Sequence, residues 1–110
     1  MDLAEARRRL EARREALVEI DAAMADARRP VELDQSRVGR LSRMAAMQDQ
    51  AMALETERRR ARELKRIEAA LHRVETGDYG HCLGCDDELP GRRLELDPAA
   101  TLCVDCAKGR

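Results

Sequence analysis

Four cysteines near the C-terminus are the residues of this chain best suited to chemistry. They form two pairs, Cys82-x₂-Cys85 and Cys103-x₂-Cys106, with 17 residues between the pairs. Two intervening residues let one tight turn aim both thiolates at one ion, and two such turns supply the four tetrahedral ligands that Zn²⁺ prefers. Because thiolates fill all four positions, none is open to water or substrate. The spacing therefore predicts one structural Zn²⁺ rather than a catalytic one.

Other readings of the cysteines are weaker. An iron–sulfur cluster has the same ligand count, and a thiol switch is compatible with zinc because oxidation would release the metal. If the cysteines were buried and bound no metal, their paired spacing would have no packing rationale. His72 and His81 are interpreted as surface or loop residues. With Tyr79 as its single aromatic residue, the segment 77–110 buries too little apolar surface to fold without metal.

Composition excludes several classes of protein. Of the 110 residues 39% are charged and 1% aromatic, which favours long exposed helices over a thick globule. A net charge of −1 gives no general attraction to nucleic-acid phosphates, so we expect no sequence-specific DNA binding. The chain starts without an apolar signal region and has no membrane-length apolar run, so we expect a cytoplasmic protein without membrane association. No nucleophile–base pair is recognisable, and we expect no enzyme activity.

Apolar side chains spaced alternately three and four residues apart predict a helix over residues 3–29. Pro30 ends this helix because its ring removes a donor and disfavours helical geometry at the preceding residue. A second helix is predicted from about Ser36 to Thr76, with Asp34 or Ser36 as its N-cap and Gly77 as its C-cap. The expected fold is mainly α: a long antiparallel helical hairpin (coiled coil), residues 1–76 with its tip at about 30–36, and a small C-terminal C4 zinc-finger module, residues 77–110.

Folding the hairpin about this tip predicts one register for the two helices. It sets Leu3 near Leu64 and Ile20 near Met47, and it places the methionines in the seam rather than on a binding surface. Three apolar residues of the second helix then lie beyond the first helix, and the cysteine-containing segment is expected to cover them: Ile67, Leu71 and Val74. Because the break at Pro30 favours pairing within one chain, we expect a monomer.

Three stretches resemble the DksA/TraR zinc-finger family at motif level. They are Gly77–Cys85 (GDYGHCLGC), Arg93–Glu95 (RLE) and Pro98–Cys106 (PAATLCVDC). In that family the zinc module docks on bacterial RNA polymerase, and the coiled coil enters the secondary channel. The resemblance implies a transcription regulator that binds RNA polymerase without contacting specific DNA. From the residues alone, a zinc-ribbon protein–protein adaptor or a thiol/zinc redox sensor that does not act on RNA polymerase stays open.

The resemblance also implies a partner-binding tip that approaches the catalytic Mg²⁺ region of the polymerase. Asp34 matches the second tip aspartate of the family, whereas the first falls at Val31, with Glu32 adjacent. Ser36 replaces the alanine that follows. The acid pair is therefore only partly present, and Asp34 can equally act as a helix N-cap. The predicted tip residues are Glu32, Asp34, Ser36 and Arg37.

Two further departures concern the alarmone ppGpp. The family has a basic residue before the proline of its Arg-Leu-Glu…Pro stretch and another after the last cysteine, and both are linked to ppGpp binding with polymerase. Here these positions are Asp97 and Ala107. We therefore expect a weak ppGpp response or none at that site.

Overall fold

The computed structural model describes residues 2–25 and 39–109, so the predicted tip residues Glu32, Asp34, Ser36 and Arg37 lie outside the described part. In chain order the helices are α1 (Leu3–Ala23), α2 (Arg40–Thr76), α3 (Gly91–Leu96) and α4 (Val104–Ala107). One isolated antiparallel bridge joins His81 to Glu88. The predicted mainly helical fold, with two long packed helices and a small cysteine-containing module, is confirmed. None of the described helices is long and apolar enough to cross a membrane.

The predicted ends of the hairpin helices are only partly right. Gly77 is the C-cap of α2, as expected, and its left-handed backbone (φ 87°) suits a residue without a side chain. However, α1 ends at Ala23 rather than at Arg29, and α2 begins at Arg40 rather than near Ser36. Its N-cap is Gly39, not the expected Asp34 or Ser36. Side-chain spacing carries little information about where a helix starts or stops.

The predicted register is wrong. Leu3 lines a surface cavity with Val74 rather than lying near Leu64. Near the other end of α1, Asp21 pairs with Arg60 at 3.2 Å, although the prediction set its neighbour Ile20 near Met47. The antiparallel packing thus places α1 along the C-terminal half of α2. This arrangement brings together the buried apolar residues of both helices, which are Ala6, Leu10, Leu17, Ile67, Ala70 and Val74.

The seam along the N-terminal half of α2 is also different from the prediction. Because the periodicity of an α-helix is constant, the side of α2 that carries Leu64, Ile67, Leu71 and Val74 continues toward the start of the helix. It consists there of partly buried and mostly polar residues, namely Arg43, Ala46, Gln50, Ala53, Glu57 and Arg60. Met44, Met47 and Met52 lie outside this line and are exposed. They were interpreted as seam packing, and that interpretation is wrong.

The cysteine-containing module shares its core with the base of the hairpin. Buried residues of the module join those of α1 and α2 in one cluster, and they are Tyr79, Cys82, Leu89, Leu94, Ala99 and Ala100. The Tyr79 hydroxyl donates to the carbonyl of Pro98 at 2.8 Å, so this buried polar group is satisfied. Arg9 of α1 donates to the carbonyl of Glu95 at the end of α3. The module is therefore packed against both long helices.

Candidate metal centre

The structure brings the four cysteines together. Their Sγ atoms all lie within 4.8 Å of one another, and the Sγ atoms of Cys85 and Cys103 are 3.8 Å apart. Tetrahedral coordination with Zn–S bonds of about 2.3 Å places neighbouring sulfurs about 3.8 Å apart. The thiol donor set and its spacing thus fit one structural zinc ion. Among the described residues, neither His72 nor His81 belongs to this group.

Backbone N–H groups point at the sulfurs in both cysteine turns. Cys82 Sγ accepts from the backbone N–H of Gly84 and of Cys103, each at 3.3 Å. Cys103 is the N-cap of α4, and its Sγ accepts from the N–H of Cys106 at 3.4 Å. Such hydrogen bonds stabilise the thiolate form of a ligand and hold it in place before the metal arrives.

These hydrogen bonds give the thiols unequal acidity in the metal-free arrangement. The N–H of Cys103 is the largest cause that lowers the pKa of Cys82, to about 6, while burial opposes it. The neighbouring thiol of Cys103, followed by that of Cys82, raises the pKa of Cys106. These hydrogen bonds therefore favour the thiolate form of Cys82, and metal binding must displace the protons that remain on the ligands.

The two cysteine turns are fastened to each other and to α2. Leu83 N–H donates to the Thr101 carbonyl at 2.8 Å, and Arg93 Nε donates to the Leu102 carbonyl at 2.7 Å. The buried guanidinium of Arg73 on α2 donates to the carbonyls of Asp78 and His81. The role of Arg73 could not be predicted from the sequence, because nothing distinguishes a buried arginine from the exposed arginines of the same charged helix.

Gly84 is a second residue that sequence reasoning missed. A β-carbon added there would lie 2.9 Å from Cys106 Sγ and 3.1 Å from Cys106 Cβ. The first cysteine turn can therefore approach the second only because residue 84 has no side chain. The glycine between Cys82 and Cys85 was a possible signal, but only the fold shows what lies opposite.

Comparisons with known proteins confirm the resemblance seen in the sequence. Residues 77–110 match the family described as the prokaryotic dksA/traR C4-type zinc finger. Over 63 residues the chain is 46% identical to proteins of Haemophilus influenzae and Escherichia coli K12, each named RNA polymerase-binding transcription factor DksA. The match covers 56% of this chain and 43% and 42% of those proteins. The chain thus spans less than half the length of these curated relatives.

A solved structure resembles most of the chain. It is that of transcription factor DksA2 from Pseudomonas aeruginosa, with a TM-score of 0.63 and 28% sequence identity. The alignment covers 97% of this chain and 75% of the DksA2 chain. The likeness therefore extends beyond the cysteine-containing module to the long helices.

Removal of zinc is expected to unfold the module and loosen the adjoining base of α2. The module buries little apolar surface of its own, and metal binding supplies folding free energy in such segments. We expect one zinc per chain by elemental analysis. A strong chelator should lower the thermal midpoint and the helical circular dichroism signal. Unchanged circular dichroism after verified zinc removal would contradict this prediction.

Gly84→Ala is expected to weaken zinc binding. The added methyl group crowds Cys106, and overpacking of this kind costs about 1–3 kcal/mol, which corresponds to roughly five- to 150-fold in affinity. Gly91→Ala is the matched control, because a β-carbon there meets nothing within 4 Å. Competition against a chromophoric chelator measures both affinities. Equal zinc affinities for the two variants would show that zinc binding does not depend on the close approach of Gly84 to Cys106.

Proposed function

We propose that this chain is a transcription regulator that binds bacterial RNA polymerase, because residues 77–110 match the prokaryotic dksA/traR C4-type zinc finger. The main support is the combination of this finger with a fold that follows DksA2 over 97% of the chain. The curated relatives carry RNA polymerase binding in their names, and they are named as binding factors rather than as enzymes.

In the proposed complex the hairpin, residues 1–76, enters the secondary channel while the module, residues 77–110, stays at its base. Glu32, Asp34, Ser36 and Arg37 at the tip then contact the active centre. The 37 residues of α2 span about 55 Å at about 1.5 Å per residue, a length that suits a narrow helical rod inserted into a channel. The active form is a monomer that works in the cytoplasm and reads no DNA sequence.

Zinc has a structural role in this proposal. Cys82, Cys85, Cys103 and Cys106 hold one ion with four thiolates, which leaves no ligand position for substrate. The ion fixes the two cysteine turns relative to each other below α2. Because the module and the hairpin base share one core, fixing the turns also restrains the hairpin base. Zinc therefore sets the direction in which the hairpin leaves the module.

The surface around Asp97 supports the expected lack of a ppGpp response. The Asp97 carboxylate pairs with Arg66 at 2.7 Å, and the same guanidinium pairs with Glu63 at 2.7 Å. An acid at this position repels phosphate groups and also engages a nearby cation that would otherwise attract them. The second position linked to ppGpp is the uncharged Ala107. We therefore propose that regulation by this protein does not depend on ppGpp at this site.

Binding to purified core RNA polymerase tests the proposed function. The zinc-loaded protein is expected to bind and to be displaced by another secondary-channel factor. Asp34→Asn should weaken binding, whereas Glu11→Gln, which removes an exposed acid of α1, should leave it unchanged. Absence of binding by a folded, zinc-loaded protein would contradict the proposal and favour the adaptor reading.

The ppGpp proposal is tested by transcription with a polymerase that lacks its own ppGpp site. We expect the natural protein to act equally with and without ppGpp. Asp97→Arg replaces the acid with a cation and removes one of the two acidic partners of Arg66, so it should create a ppGpp-dependent change. Glu95→Arg is the control, with the same charge change two residues away. A large ppGpp-dependent effect of the unaltered protein would contradict the proposal.

A further inference from the structure

The N-terminal half of α2 exposes an apolar face that packs against no other described helix. We call it the methionine face, and it consists of Leu41, Met44, Met47 and Met52. These side chains are between 49% and 82% exposed. Ala45, Gln48 and Ala51 lie between them and are also exposed, and the nearest charged residue of this stretch, exposed Asp49, lies at the edge of the face rather than within it. Four large apolar side chains within about three helical turns form a patch rather than scattered single residues.

This face differs from the remaining surface of the two long helices. The exposed positions of α1 and of the C-terminal half of α2 are largely arginine, lysine and glutamate. Methionine is enriched at protein interfaces, and its flexible thioether chain adapts to the shape of a partner. The methionine face therefore has the composition of a protein contact surface.

Positive charge lies at both ends of the methionine face. Exposed Arg40 precedes it. Beyond it, the guanidinium groups of Arg58, Arg59 and Arg62 surround the single carboxylate of Glu55 at 3.7, 3.6 and 3.5 Å. One carboxylate against three guanidinium groups leaves that end positively charged as well.

This charge arrangement disfavours parallel pairing with a second copy of the chain. Parallel pairing of two methionine faces would set each basic end against itself. Like charges across an interface suppress association in that arrangement. Nucleic acid is also a poor match, because the face has no aromatic side chain on which bases could stack.

We propose that the methionine face docks on an apolar protein surface flanked by acidic side chains. This inference rests on the proposed function, in which that surface belongs to RNA polymerase and receives the side of the hairpin, away from the tip. The apolar centre contributes affinity through burial, while the basic ends steer and orient the encounter. The contact is separate from those of the predicted tip acids and of the zinc module.

The test uses the double variant Met44→Gln/Met52→Gln with purified bacterial core RNA polymerase. Glutamine keeps side-chain length and helix preference but removes the apolar surface. Val18→Gln is the matched control, because Val18 is an exposed apolar residue of α1. We expect the double variant to bind at least tenfold more weakly than the unaltered protein and the control. Zinc content and helical circular dichroism should be unchanged, and Arg62→Glu should reduce the salt dependence of binding.

The possible outcomes separate this inference from the proposed function. If the unaltered protein binds polymerase and the double variant binds equally well, the inference is overturned while the proposed function stands. If the unaltered protein does not bind, the proposed function fails, and the assignment of this face to polymerase fails with it. Sedimentation of the protein alone and binding to anionic phospholipid vesicles complete the test. Self-association or vesicle binding that disappears in the double variant would assign the face to a second copy or a membrane and overturn the inference.

Discussion

The structure depends on one apolar core that three separate stretches of the chain share. Leu10 of α1, Ile67 of α2 and Leu94 of α3 are almost fully buried in the same cluster, and Tyr79 is its single aromatic residue. Because no stretch buries enough apolar surface alone, each needs the others to fold. This mutual dependence explains why a hairpin rich in charged residues can have a defined direction at its base.

The cysteine site lies at the edge of this core and restrains the chain segments around it. Cys82 is itself buried among the core residues, while Cys85 is exposed, so the site lies at the boundary between core and solvent. Convergence of the four sulfurs fixes the two cysteine turns relative to each other, and Arg73 connects the first turn to α2. Order at the metal site and order at the hairpin base are therefore physically coupled.

Local chemistry explains what could be predicted from the sequence. The pairing of Cys82 with Cys85 and the helix stop at Gly77 follow from short-range geometry, and the structure has the four sulfurs together and a left-handed Gly77. The register could not be found in this way, because Met44 and Met47 form an apolar stripe that offers a second, competing seam. Only the fit of α1 against Ile67, Ala70 and Val74 decides between the two. The close approach at Gly84 is likewise a contact between residues distant in sequence.

The same choice of register accounts for the unusual surface of α2. Burying the line through Arg60 and Glu57 costs desolvation, which the ion pair between Arg60 and Asp21 partly offsets. The alternative seam would have buried the methionines, but it would have removed α1 from the core that it shares with the module. Stability of the base is thus retained, and the apolar side chains of the distal half stay available to a partner. A continuous patch of exposed apolar side chains is more readily explained by binding than by packing.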